Sequence, residues 1–441
     1  LLCGLSHTMT GLILFRGLQG IGAGIMMANA FTVIGDIFPP AERGKYQGLM
    51  ASTFGLSTII GPTLGGYITD NPHMGWHWVF FINIPLAAII VALFIFFFPA
   101  LKPEQMRHKI DYLGITTLVL AVVPMLVALT WGGVVSPWGS ARIIGLLVFS
   151  AAMIPLFIFF ESRTEEPIIP LWILKNRIVG VSIFIIFITG FGMFGGIIFI
   201  PLFFQGVLGQ SATHSGTFLT PMMLGLVAGS IISGQLLARA GGHYRFQGLV
   251  GLGVMALGLW LLSQMSPETS NARAITNIVV TGFGLGITMP LYVVAVQNAI
   301  PYSVLGTATS SAAFFRSIGG AFGLSIFGAV MNNRFALEFM SGLPSRIKAV
   351  IPAIQLDSIV HNPQVLFSLN ATDQIKGFFG QFGDQGMTLY NQLIQTLKSA
   401  LNSGITEVFF LALLLVAAGW VANLFLKEIP LRKHYGEGAG T

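Results

Sequence analysis

Long apolar runs recur along this chain, separated by short stretches that carry its prolines, charges and amides. A helix needs about 20 apolar residues to cross a ~30 Å hydrocarbon core. Runs of that length fall at 11–35, 46–69, 77–99, 113–131, 142–161, 178–204, 215–238, 246–265, 275–298, 306–331 and 404–426. They predict eleven complete membrane spans, with residues 1–5 as the tail of another. The expected fold class is therefore an all-α polytopic membrane protein.

One connection breaks the rhythm. Residues 334–403 are far too long for a simple turn and hold five basic and four acidic residues with many Gly, Asn and Gln. Within it, Leu389, Leu393, Ile394, Leu397 and Leu401 recur at helical spacing against Asn391, Gln392, Gln395 and Lys398, the pattern of an amphipathic helix. Such a helix either lies in the outer interface or packs as a cap on the outer mouth.

Composition removes the soluble alternative. The chain is 54% hydrophobic and 9% charged over 441 residues, against roughly 25% charged in ordinary soluble domains. So few charges cannot cover a soluble surface of this size. The net charge of +6 does not point to nucleic acid, because the basic residues form no stripe or tail. They sit instead in alternate connections: Arg43 and Lys45; Lys102, Arg107 and Lys109; Arg163, Lys175 and Arg177; Arg239 and Arg245; Lys427, Arg432 and Lys433. The opposite short connections hold only Arg142 and Arg273. By the positive-inside bias the first set is cytoplasmic, so the 11–35 helix runs inward and the carboxyl tail lies in the cytoplasm.

Several chemistries lack their residues. Cys3 is the single cysteine, and the eight histidines occur singly, so neither an intrachain disulfide nor a thiolate or His-rich metal site is expected. No phosphate-binding G-x-x-x-x-G-K-[ST] occurs, and the glycine runs follow no strand. No nucleophile–base pair is recognisable. The opening "LLCGLSHTM" has neither the basic start nor the cleavage site of a signal peptide, and reads as a sequence missing its beginning.

Two spans carry chemistry. In "GLILFRGLQGIGAG", Arg16 shares a helix face with Gln19, Gly20 and Gly24. A permanent cation in a membrane helix costs roughly 2.5–3.5 kcal/mol on insertion scales, and such charges mark functional sites by default. Arg16 is expected to face a wet cavity or a carboxylate; the alternative is a structural arginine satisfying carbonyls of a broken neighbour. The next span, "GLSTIIGPTLGGYI", holds Pro62, which removes a backbone hydrogen bond and kinks the helix. There Gly61, Gly65 and Gly66 are expected to form a small-residue packing ridge.

Together, "RGLQGIGAG" and "GLSTIIGPTLGG" resemble motifs B and C of the drug:proton antiporters of the major facilitator superfamily. "GWHWVFFINIP" (Gly75 to Pro85) is similar to the segment opening the sixth span of the fourteen-helix, QacA-like antiporters, although His77 stands where that family usually has Arg. "AAFFRSIGGAFGLSIFGAV" (Ala312 to Val330) resembles their thirteenth helix. The resemblance implies two pseudo-symmetric helical lobes with two extra linker helices, and counts the eleven spans as helices four to fourteen of an amino-terminally truncated chain. It divides the chain into an amino-terminal lobe (1–100), linker helices (101–175), a carboxyl-terminal lobe (176–333), an outer loop (334–403), and the last helix with its tail (404–441).

Roles follow from the resemblance residue by residue. Arg16, with Gln19 and Gly20, implies the proton-coupling motif. Gly55, Gly61, Pro62, Gly65 and Gly66 imply the hinge of the antiporter helix. Asp36 and Arg43 imply a cytoplasmic gate; the alternative for Asp36 is an unpaired interface carboxylate. Met26, Met27, Asn29, Gln205, Gln297, Asn298 and Arg316 are candidates for the substrate cavity, with Arg316 open between an interhelical clamp and a cavity-lining charge. No Asp or Glu lies at the centre of a span, so proton coupling is implied by the resemblance alone.

The expected activity is proton-coupled export of amphipathic or cationic drugs or similar small molecules by alternating access, from a multi-pass position in the plasma (inner) membrane. No cofactor and no enzyme activity are expected. Partners would be membrane lipids, a small-molecule substrate and protons, with no nucleic acid, and the protein would be a monomer. Two alternatives remain: a dedicated exporter of one metabolite, siderophore or lipid, and a membrane sensor with a transporter body and no flux.

Overall fold

A computed structural model of the chain describes residues 1–441 apart from 72, 98–109, 134, 211–217, 241–242, 351–375, 382 and 432–441. Lys102, Arg107, Lys109, Arg432 and Lys433 lie outside the described residues, as does the side chain of Pro62.

Where described, the apolar runs, with 77–99 divided in two, form helices. In chain order these are α1 (Met9–Ile37), α2 (Pro40–Asp70), α3 (Trp78–Phe81), α4 (Asn83–Phe97), α5 (Tyr112–Trp131), α6 (Ala141–Glu161), α7 (Leu171–Lys175), α8 (Arg177–Leu202), α9 (Leu219–Ala240), α10 (Tyr244–Ser263), α11 (Asn271–Asn298), α12 (Leu305–Gly342), α13 (Ser345–Val350) and α14 (Gly383–Leu424). A π-helical turn, Phe203–Val207, extends α8 past Pro201. Among the described residues, ten stretches are long and apolar enough to span a membrane, α3 and α4 forming one of them. The eleventh, α2, has 31 residues but is diluted by Gly, Ser and Thr. Large apolar side chains such as Ile90, Phe94 and Phe97 stand exposed on the outside, as a lipid-facing surface requires.

The best-packed body is built from α8 to α12 and α14, which share one continuous buried cluster. α2 lies along α9 and touches α11, α1 leans on α12, and the α5–α6 hairpin joins the bundle through α12. Residues 1–5 close a turn rather than a helix end, with Leu5 N–H donating to Leu1 O at 3.2 Å.

The 334–403 segment departs from its expected form as a loop. α12 runs on through residue 342 and α14 begins at 383, so both ends of the segment continue the neighbouring helices, which pack on each other. At 42 residues, α14 is about 63 Å long by helix rise, roughly twice the hydrocarbon core. Leu393, Leu397 and Leu401 are buried in the cluster that holds Phe335 and Phe339, so the amphipathic stretch does not lie flat at an interface. Arg334 ties the two extensions, bonding Glu338 at 2.9 Å and Glu407 at 3.1 Å.

Prolines inside helices need replacement donors. Pro290 in α11 leaves the Gly286 carbonyl without its usual N–H, and the Ser230 hydroxyl of α9 donates to it at 2.9 Å. Ser233, three residues on, donates to Ile287 O at 2.9 Å. The polar atoms freed by the break are met inside the protein, as hydrocarbon demands.

Candidate functional site

A cavity of about 630 Å³ opens where α1 and α2 meet α8, α11 and α12. From α1 come Gly20, Ala23, Gly24, Met27 and Phe31, a stripe at helical spacing. α2 contributes Met50, Ala51 and Phe54; α8 contributes Met193 and Phe194; Met289 comes from α11. The α12 wall is Ser310, Ala313, Phe314, Arg316 and Ser317. The wall is almost wholly apolar, rich in flexible thioethers and aromatic rings that suit bulky apolar ligands. Gly20 has nothing within 4 Å of where a Cβ would sit, so its missing side chain leaves open space at the cavity edge.

One end of this cavity is closed. Gly35 of α1 meets Leu305 and Gln297, and Thr32 meets Gly306, where α12 begins. Across the gap between α2 and α11, Gln47 Nε2 donates to Gln297 Oε1 at 3.0 Å, and Gln297 Nε2 donates to Thr309 Oγ1 at 3.1 Å. Both glutamines are buried. Arg43, 2% exposed, caps the carboxyl end of α1: its Nε donates to Phe38 O at 2.8 Å and its Nη2 to Gly35 O at 2.7 Å. A helix ends with unmatched carbonyls and partial negative charge, which a guanidinium satisfies. The segment after α14 crosses the same end, taking bonds from Asn298 to Pro430 O and from Tyr244 to Lys427 O, each at 3.1 Å.

Close backbone contact between α2 and the rest runs through Gly44, Gly48 and Gly55. A Cβ on Gly44 would meet Gly234 O at 3.0 Å, and one on Gly48 would meet Ser230 O at 2.8 Å. Gly44–Gly48 facing Ser230–Gly234 is a small-xxx-small pair on both helices, the pattern that lets membrane helices approach closely. A Cβ on Gly55, one of the residues expected in the hinge, would meet Val227 in this seam at 3.0 Å. Among the described residues, Gly61, Gly65 and Gly66 show no packing ridge: nothing lies within 4 Å of where a Cβ would sit on any of them. Their face of α2 points away from α9, and a ridge needs a partner on its own side.

The other expected site residues disperse. Arg16 is exposed on α1, outside the cavity lining; its Nη1 donates to Gln19 Oε1 at 3.1 Å, and its Cζ lies 6.0 Å from the Phe80 ring. Gln19 also accepts from Cys3 Sγ at 3.5 Å. Among the described residues no carboxylate pairs with Arg16; the groove beside its neighbour Gln19 is lined by residues 1–3, Phe80 of α3 and Asn83, Ile84 and Ala87 of α4. Asp36 is exposed at the end of α1. Met26 and Asn29 are exposed and off the lining, whereas Met27 is on it. Gln205 sits in the π-helical turn, and Gln297 and Asn298 belong to the closed end rather than the cavity. Of the candidate cavity residues, Met27 and Arg316 line it.

Sequence reasoning missed Gln47 and the α2 wall of Met50, Ala51 and Phe54. A signal was present: Gly44, Gly48, Ala51 and Gly55 fall at spacings of four, three and four, one small-residue face of a helix.

Among known proteins, the pattern of the Major Facilitator Superfamily matches residues 1–324. The Multidrug transporter protein MdtP of Bacillus subtilis (strain 168) is 40% identical over 447 residues, covering 99% of this chain and 80% of the relative. Multidrug resistance protein 3 of the same organism is 37% identical over 98% of this chain and 80% of its own length. An uncharacterized MFS-type transporter of Mycobacterium tuberculosis, MT1926, is 34% identical over 98% of this chain and 58% of its own length.

Proposed function

The chain belongs to the Major Facilitator Superfamily, and we propose that it exports amphipathic small molecules, drugs among them, in exchange for protons by alternating access. It is a multi-pass membrane transporter. The observation that carries the reading is the apolar cavity of about 630 Å³ between α1–α2 and the carboxyl-terminal helices, closed at one end by the Gln47–Gln297 bridge. A midplane pocket between two helical bodies that meet at one end is what rocking of one body against the other needs. The relatives named as multidrug transporters support a broad substrate range. Met27, Met50, Met193 and Met289 support it too, since thioether walls re-pack around different shapes.

In this reading Arg16, bonded to Gln19, serves proton coupling from the outer part of α1. Gly61, Pro62, Gly65 and Gly66 form the flexing part of α2, beyond the tight seam at Gly44 and Gly48. Gly35, Asp36 and Arg43 belong to the gate at the closed end, which the charge distribution assigns to the cytoplasm.

Everted membrane vesicles containing the protein test this. Energised by respiration, they should accumulate members of a panel of neutral, acidic and basic amphipathic dyes, and a protonophore should abolish the uptake. Arg16→Ala should remove it at unchanged protein level. Uptake that survives the protonophore overturns proton coupling, and undiminished uptake by the variant removes Arg16 from the mechanism.

A further inference from the structure

Arg316 is the one charged residue among the described residues lining the cavity, and its surroundings leave it under-bonded. A guanidinium carries several N–H donors and no acceptor. Among the described residues it makes a single hydrogen bond, from Nη2 to Met289 O at 3.2 Å, while Nε is buried with no partner. None of the described residues that line the cavity is an Asp or Glu. Arg316 is the twelfth residue of α12, about 16 Å along the helix, which puts it near the middle of a ~30 Å core. A cation at that depth faces a wet cavity or a counter-charge.

The position is also rigid. α8 and α12 touch backbone to backbone beside it, since a Cβ on Gly190 would strike Arg316 O and one on Gly319 would strike Phe187 O. The side chain thus projects from a fixed point into an apolar chamber, with the hydroxyls of Ser310 and Ser317 on the same wall. A structural clamp would use more of the donors, and a site for cations would not place a bare guanidinium in the wall.

We infer that Arg316 binds the acidic head group of an amphipathic substrate, a carboxylate or a similar oxyanion, whose apolar body fills the space between Met27, Phe54, Phe194 and Phe314. This rests on reading the cavity as the substrate site. It narrows the substrate class from amphipaths in general to those with an anionic head, and disfavours the cations that the sequence resemblance implies. Charge-assisted bonds to oxyanions are the stronger kind, and a guanidinium offers two parallel ones.

Three probes with one apolar body separate the possibilities: pyrenebutyrate, its methyl ester, and the corresponding pyrenyl trimethylammonium. Their binding is measured by pyrene fluorescence on the full chain in lipid nanodiscs. The acid should bind at least tenfold more tightly than the ester, and the cation most weakly. Arg316→Gln should abolish the preference for the acid while leaving ester affinity unchanged, which also reports that the variant is folded; Arg316→Lys should keep part of the preference. Equal binding of acid and ester overturns the inference while the cavity reading stands. So does an Arg316→Gln variant that still prefers the acid, or that weakens all three alike. If none of the three binds, the cavity is not the substrate site, and both readings fall.

Discussion

The Gln47–Gln297 bridge should bias the protein toward the state closed at its end. Gln47 Nε2 donates to Gln297 Oε1 at 3.0 Å across two helices that must part for that end to open. Interhelical hydrogen bonds in membrane proteins measured by double-mutant cycles average about 0.6 kcal/mol and reach about 1.7. That range converts to a roughly 3- to 18-fold change in the ratio of closed to open molecules. Gln297→Leu also removes the bond to Thr309, but Thr309 keeps its own donation to Leu305 O at 2.7 Å, so most of the loss falls on Gln47. Water solvates Gln47 once the end opens, so the loss acts on the closed state. The assay is electron–electron spin-label distance measurement between Glu42→Cys and Tyr302→Cys, both exposed near that end, in a Cys3→Ser background. Gln47→Leu and Gln297→Leu should each increase the long-distance population, and the double variant should add little beyond Gln297→Leu. Additive effects, giving zero coupling energy, or an unchanged distance distribution would refute the reasoning.

Further predictions concern stability. Ser230→Ala leaves the Gly286 carbonyl unmet beside Pro290, a buried-acceptor loss of about 1–3 kcal/mol. In a Pro290→Ala background, where residue 290 regains its N–H, the same change should cost clearly less; equal losses in thermal unfolding in nanodiscs would exclude the account. Arg43→Gln removes two charge-assisted bonds to the end of α1 and should destabilise by about 1.5–3 kcal/mol, read as a lower melting temperature. An unshifted melting temperature would show that Arg43 is dispensable as a cap.

The membrane-spanning helices were legible in the chain itself. Hydrocarbon forces every span to satisfy its backbone internally, so most leave a long apolar run that no neighbour has to confirm, α2 being the most diluted. Within the described residues, the eleven runs accordingly fall on helices, from Met9–Ile37 to Gly383–Leu424, with 77–99 divided between α3 and α4. Residues 1–5 misled, forming a turn rather than a helix end, and so did the 334–403 segment. Its polar residues at 391–398 suggested an element separate from the last span, yet no proline interrupts 383–424, and one helix continues through Asn402, Ser403 and Gly404.

What tertiary structure alone decided is which small or charged residues have something opposite them. Gly61, Gly65 and Gly66 form the more conspicuous motif, but Gly44 and Gly48 make the close approach, because Gly234 and Ser230 of α9 happen to lie across from them. Arg16 and Arg316 look alike in the sequence, each a lone cation in an apolar, glycine-rich run. One meets its own helix and a phenylalanine ring, and the other meets a chamber. Helical periodicity states which residues share a face. It carries no information about what that face meets, since the partner comes from a part of the chain hundreds of residues away.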